Sequence, residues 1–247
     1  MINPMSLEGK HILITGASSG IGRQCAIQAS RLGGRVTIIS RNEERLKQTI
    51  SLMDNPKEHV LYTADLSQTE TIEDLIKSIV SECGSVDGFC NAVGVSSLRP
   101  LKLVKPDFLE IALRTNLYAH IELVRSLSLK KNLNDNASIV GISSVAAEDG
   151  NSGQTAYSIA KAGMNGFIHP IAKELGKRKI RVNNVAFSMV NTEMFDEFMK
   201  NSGSEDLIKK QYLGIVDVES AANAVMFLLS DASKYITEAI LPVYAGY

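Results

Sequence analysis

The chain has 247 residues, with 26 Lys plus Arg against 27 Asp plus Glu and a formal net charge of −1. That balance excludes a global pull toward nucleic acid or an anionic membrane surface, so any anion site must be local. Three cysteines without disulfide or metal-ligand spacing, and histidines at 11, 59, 120 and 169 without paired spacing, give no support to a disulfide framework or a metal centre.

Short Val/Ile-rich runs alternate with stretches of helical period, the pattern of a parallel sheet covered on both faces. The first strand is expected at 11–15, "HILIT", and the first helix at 20–32, closed by "LGG". Between them lies "ITGASSGIG". Gly16, Gly20 and Gly22 let the backbone turn tightly and come close to a pyrophosphate, whose charge then meets amide groups at a helix N-terminus. A strand-glycine turn-helix unit of this kind is a dinucleotide site.

The second strand, 35–40, ends in "SRNEER" and is followed by a helix at 42–53. Ser40 stands where a carboxylate would bond an adenosine 2′-hydroxyl, and Arg41 follows at once, which favours NADP over NAD. After the third strand, 59–63, Asp65 in "ADLS" is placed to bond an adenine amino group or to cap a helix. Ser67 with Glu70 reads as a capping box opening a helix at 67–83.

Next come a strand at 86–92, "VDGFCNA", a helix at 107–131 holding Asn116, and a strand at 137–143 that delivers the pair Ser143-Ser144. A helix at 155–177 carries "YSIAK", with Tyr157 and Lys161 four apart on one face. Pro170 in the same helix suggests a kink. A strand at 180–185, a helix at 217–230 and a last strand at 239–243 complete the alternation. The irregular stretch 187–214 has apolar Met189, Met194, Phe195, Phe198 and Met199 and reads as an adaptable cover, a substrate loop inserted into a single domain spanning 1–247. The fold class is therefore α/β, a doubly wound seven-stranded parallel sheet. All four histidines are read as structural or surface residues.

With the glycine turn, Asp65, "CNAVG", Asn116, the serine pair and "YSIAK" in order, the chain resembles the short-chain dehydrogenase/reductase family over nearly its whole length, in particular its 3-oxoacyl-[acyl-carrier-protein] reductase-like branch. The resemblance implies a Rossmann fold and a catalytic set of Asn116, Ser144, Tyr157 and Lys161, with Ser144 chosen over Ser143 because the family serine lies thirteen residues before the tyrosine. In that scheme Lys161 lowers the pKa of the Tyr157 phenol and bonds the nicotinamide ribose, Ser144 donates to the substrate oxygen, and Asn116 diverts helix bonding to a water linked to Lys161. The cofactor contacts implied are Gly16, Ser18, Ser19, Gly20, Ile21, Gly22, Ser40, Arg41, Asp65, Leu66, Asn91, Ala92, Val93, Gly94, Tyr157, Lys161, Val190 and Thr192.

These residues describe an NADPH-dependent reductase acting on a small carbonyl substrate, with an NAD-dependent alcohol dehydrogenase or a non-catalytic nucleotide sensor as the alternatives. The expected setting is cytoplasmic, as a homotetramer, without nucleic acid, membrane or metal. Phe187-Ser188 replaces the family's Pro-Gly, which predicts an altered cofactor loop. Of the two arginines that carrier-dependent relatives use to dock an acidic acyl carrier protein, Arg178 is retained and Asp135 stands in place of the other, so a carrier partner has weak support.

Overall fold

The computed structural model describes residues 3–96, 98–129, 131–202, 208–209 and 211–246. Seven strands form one parallel sheet in the order β3-β2-β1-β4-β5-β6-β7. They are β1 (His11–Thr15), β2 (Arg35–Ser40), β3 (Val60–Thr63), β4 (Val86–Asn91), β5 (Leu133–Ser144), β6 (Arg181–Phe187) and β7 (Ile240–Val243). Because alternate residues of a strand point to opposite faces, Ile12 and Ile14 enter one apolar layer while Leu13 enters the other. Helices α1 (Gly20–Arg31) and α2 (Glu43–Ser51) belong to the first layer; α3 (Ile72–Cys83) packs in the second. The order reverses between β1 and β4. A crevice therefore opens at their carboxyl ends, where ligands bind in open α/β sheets.

The long helix expected over 107–131 is interrupted: α4 (Pro106–Leu113) passes into a π-turn, Arg114–Tyr118, before α5 (Ala119–Ser128). The cause is a side chain. Asn116 Nδ2 donates to the Ala112 carbonyl at 2.8 Å, taking the acceptor its own helical N–H would use, and the ladder slips to Ala119 N–H bonding Arg114 O. The helix α6 (Thr155–Leu175) has Pro170 inside it, and α7 (Glu193–Ser202) and α8 (Val218–Leu229) follow.

Two local expectations fail for identifiable reasons. The capping box at Ser67 does not form, because the Asp65 carboxylate captures both the Ser67 amide at 3.0 Å and its hydroxyl at 2.8 Å, and α3 starts only at Ile72 after a short 3₁₀ turn. Strand β6 runs past 185 to Phe187, which pairs with Ser144 and Val243, and the Ser188 amide donates to the Val243 carbonyl at 3.3 Å. Of the stretch 187–214, residues 203–207 and 210 lie outside the described ones.

Candidate active site

The glycine turn builds the floor of the crevice. Gly16 has φ +69°, and a Cβ there would lie 2.6 Å from the Ala92 carbonyl; a Cβ on Gly22 would lie 2.3 Å from the Gly16 carbonyl. The loops after β1 and β4 thus touch through bare backbone, leaving the start of α1 open to the crevice. Ser19, the N-cap of α1, makes no side-chain capping bond, and no acidic residue sits in the first turn. The helix-terminal amides are unspent there and face no competing carboxylate on their own helix, the donor set a pyrophosphate needs.

A cavity of about 780 Å³ runs from this turn to β5 and α6, and every sequence-selected site residue except Asn91 and Asn116 lines it. At one end Ser40, Arg41 and Asp65 come together, with Arg45 of α2 beside them. Arg45 forms an ion pair with Glu193 at the start of α7, spanning the mouth from the α2 side to the cover. Neither residue was selected from the sequence; the only signal for Arg45 is its place one turn after Arg41. The Asp65 carboxyl is held below the usual range by its bonds from Ser67, with Arg41's charge adding to the effect. It is a permanent acceptor facing the crevice.

At the other end Ser144, Tyr157 and Lys161 converge. Ser144 ends β5, and its hydroxyl accepts from the Ala146 amide at 3.1 Å, which fixes the oxygen beside the Tyr157 phenol where both line the cavity. Lys161 is 2 % exposed; its Nζ donates to the Ile142 carbonyl at 2.7 Å and lies 5.6 Å from the centre of the Tyr157 ring. Burial lowers the lysine's pKa to about 8. The phenol corrects the expectation of an acidified tyrosine: burial pushes the Tyr157 pKa up, and only the Ser144 hydroxyl opposes it. The Lys161 ammonium, 5.6 Å from the ring centre, does not offset the desolvation of the phenolate.

Asn116 and Asn91 act from beneath the surface. Asn116 is fully buried; its Oδ1 accepts from the Val95 amide at 2.9 Å and its Nδ2 donates to the Val95 carbonyl at 3.1 Å. A Cβ on Gly94 would lie 3.2 Å from Asn116 Oδ1 and 3.6 Å from Lys161 Nζ, so the two groups face each other across Gly94 without a direct bond. Asn91 is also fully buried and stays out of the cavity, tied to Thr15, the Val93 amide and His120.

The cover meets the floor at Thr192, whose Cγ2 would be 3.2 Å from a Cβ on Gly20. The Thr192 hydroxyl accepts from the Phe195 amide at 3.3 Å, so it caps α7. Among the described residues no three His, Cys, Asp or Glu side chains gather to hold a metal, and no helix is long and apolar enough to cross a membrane.

Residues 16–247 match the family model described as Enoyl-(Acyl carrier protein) reductase. The chain belongs to the short-chain dehydrogenase/reductase family. It is 34 % identical to 3-oxoacyl-[acyl-carrier-protein] reductase FabG of Pseudomonas aeruginosa, covering 98 % of each chain. It is 32 % identical to Carbonyl reductase family member 4 of Danio rerio, over 95 % of this chain and 96 % of that one. A dehydrogenase/reductase from Sinorhizobium meliloti 1021 superposes with a TM-score of 0.91 at 28 % identity, covering 98 % of this chain and 96 % of that one. Members of this short-chain family are oxidoreductases that use a nicotinamide cofactor, and the glycine cradle and open α1 terminus fit that group.

Proposed function

We propose that the protein is an NADPH-dependent reductase that converts a small carbonyl substrate to a secondary alcohol, with Tyr157 as the general acid. The observation that carries this reading is a single cavity with Arg41 at one end, the glycine turn between, and Ser144, Tyr157 and Lys161 at the other. Arg41 has no ion-pair partner within 4 Å among the described residues and suits a 2′-phosphate. Gly16, Ser18 to Gly22 and Ala92 to Gly94 would hold the pyrophosphate and the adjoining sugars, Asp65 and Leu66 the adenine, and Val190 with Thr192 the nicotinamide end. When bound, the cofactor supplies the hydride.

The chain's own residues supply the rest. A phenol whose pKa is pushed up keeps its proton at neutral pH, which suits donation to a carbonyl becoming an alkoxide. Ser144 O–H orients the carbonyl and stabilises its developing charge. Lys161 brings a cation to the proton donor, and Asn116 holds the loop that ends beside it. Met189, Met194, Phe195 and Phe198 line the substrate end and favour an apolar substituent. Three buried free thiols suit the reducing cytoplasm. Exposed Ile111, Tyr118 and Ile159 on α4, the π-turn and α6 offer apolar area to a homotetramer.

The relatives named as carrier-protein reductases favour a second substrate, an oxoacyl group on an acidic carrier. Arg178 argues against it, because its Nε donates to Asp135 at 2.8 Å. The test is a panel of ketones with NADPH and NADH in parallel, on the wild type and Arg41→Ala. The expected result is NADPH consumption that Arg41→Ala weakens about tenfold or more in KM for NADPH, with NADH little changed. Equal losses for both cofactors would overturn the phosphate assignment. Tight NADPH binding without turnover of any ketone would favour a sensor.

A further inference from the structure

We propose that His120 is a positioning residue for the cofactor loop, a neutral imidazole that carries its proton on Nε2 and uses Nδ1 to hold Asn91 in one orientation. The inference extends the cofactor reading above to a residue that touches neither cofactor nor substrate.

The chemistry of the Asn91 amide carries the argument. Its Oδ1 accepts twice, from Thr15 Oγ1 at 2.6 Å and from the Val93 amide at 3.2 Å, which pins the loop residue Val93 to the end of β4. The oxygen's direction being set, Nδ2 points the opposite way and meets His120 Nδ1 at 3.0 Å. An amide NH₂ can only donate, so Nδ1 must accept and the ring proton must sit on Nε2. A flipped amide would set its NH₂ against the Val93 N–H, donor against donor, and lose that bond. The ring is 1 % exposed and sits edge-on to Phe167, with centroids 5.4 Å apart.

His120 lies four residues after Asn116, in α5 just past the π-turn. Asn116 grips Val95 through both its amide and its carbonyl, and His120 grips Asn91. The π-turn and the start of α5 therefore clamp both ends of the segment 91–95, whose middle residues line the cofactor crevice. The ring also meets the strand that seats Lys161: a Cβ on Gly141 would lie 3.2 Å from His120 Cε1, and the next residue, Ile142, accepts from Lys161 Nζ.

The arrangement has a cost that a purely structural residue would avoid. Among the described residues the buried Nε2–H has no partner, and neither does Asn184 Oδ1, which a Cβ on Gly141 would approach at 2.3 Å. A leucine would fill the space without an orphaned donor. What it could not do is accept from Asn91.

The experiment compares wild type, His120→Leu and His120→Gln, the last restoring a side-chain acceptor. Expected for His120→Leu is a rise of about tenfold in KM and Kd for NADPH with kcat at saturation within about twofold, together with faster hydrogen exchange at the Val93 and Val95 amides. His120→Gln should recover most of the affinity. In the wild type, ¹⁵N shifts of the imidazole should report the Nε2–H tautomer, which needs neither cofactor nor variant. An Nδ1–H tautomer, unchanged NADPH affinity in His120→Leu, or equal loss in both variants would overturn the proposal. A wild type that binds no nicotinamide nucleotide would sink the function proposed above, while the tautomer and amide exchange would still decide whether His120 clamps the loop.

Discussion

Lys161 Nζ lies 2.7 Å from the carbonyl oxygen of Ile142, so the cation of the candidate site is seated on the strand that ends in Ser144. Its pKa, lowered to about 8 by burial, sets a pH window. Between about 8 and the ordinary 10.5 the unfolded chain holds more protons on this group than the folded one, so its contribution to stability rises with pH across that window. Below about pH 8 the full cost of burying the charge is present, of order 3 kcal/mol. We expect Lys161→Met to melt higher than wild type at pH 7 and the gap to narrow by pH 10, while turnover falls at least a hundredfold. Calorimetry at the two pH values with parallel assays checks this. In the wild type, kcat/KM for reduction, which reports the free enzyme, should decline above about pH 8.

Tyr157 is the proton donor in the proposed reaction, and its raised pKa means the donor is loaded throughout the neutral range. Tyr157→Phe keeps the ring and removes the proton. Turnover should fall by about 10² to 10⁴ with NADPH affinity within about twofold, since the phenol is not the anchor of the nucleotide. Fluorescence titration of NADPH separates the two. Retained turnover on every ketone that the wild type reduces would assign the proton to another group.

Gly22 tests the cradle. A Cβ there would sit 2.3 Å from the Gly16 carbonyl, a backbone atom that cannot swing aside. Gly22→Ala should lower stability by about 1–3 kcal/mol and abolish detectable nucleotide binding. Gly166, inside α6 with nothing within 4 Å of its Cβ direction, is the matched control. Gly166→Ala should leave binding intact and raise stability by about 0.5–1 kcal/mol, the usual gain from replacing a helical glycine. Thermal melts and NADPH titrations of the two variants side by side give the comparison.

What was legible in the sequence was what period and punctuation encode. All seven strands announced themselves as apolar runs, and "TGASSGIG" marked the crevice because only glycines permit that backbone approach. The features that were not legible arise where a side chain competes with the backbone or with another side chain far away. Asn116 takes the Ala112 carbonyl and turns one helix into two; Asp65 takes Ser67 from its cap. His120 was read only as a structural or surface residue because its partner, Asn91, is 29 residues away in the chain and only the folded sheet brings them together. The phenol's shift was misjudged in sign because spacing on a helix shows that Tyr157 and Lys161 are neighbours but not that the fold buries the phenol.

Arg178 bears on which partner the substrate could bring. Its Nε donates to Asp135 Oδ1 at 2.8 Å, and its other nitrogens donate to the carbonyls of Ser128 and Leu133. Three of the guanidinium's five N–H donors are used within the chain, and a carboxylate stands beside it on the surface, so the pair presents no net positive charge to an acidic carrier. We expect an acidic carrier protein to leave ketone reduction by the wild type uninhibited at low salt. Asp135→Ala frees part of the guanidinium and should introduce weak inhibition that disappears as ionic strength rises, because an exposed charge pair of this kind is screened. Steady-state assays with added carrier at two salt concentrations measure both. Should the wild type reduce a carrier-bound 3-oxoacyl group with a lower KM than the same group on a pantetheine thioester, a docking surface other than Arg178 must exist, and the substrate would be the carried one.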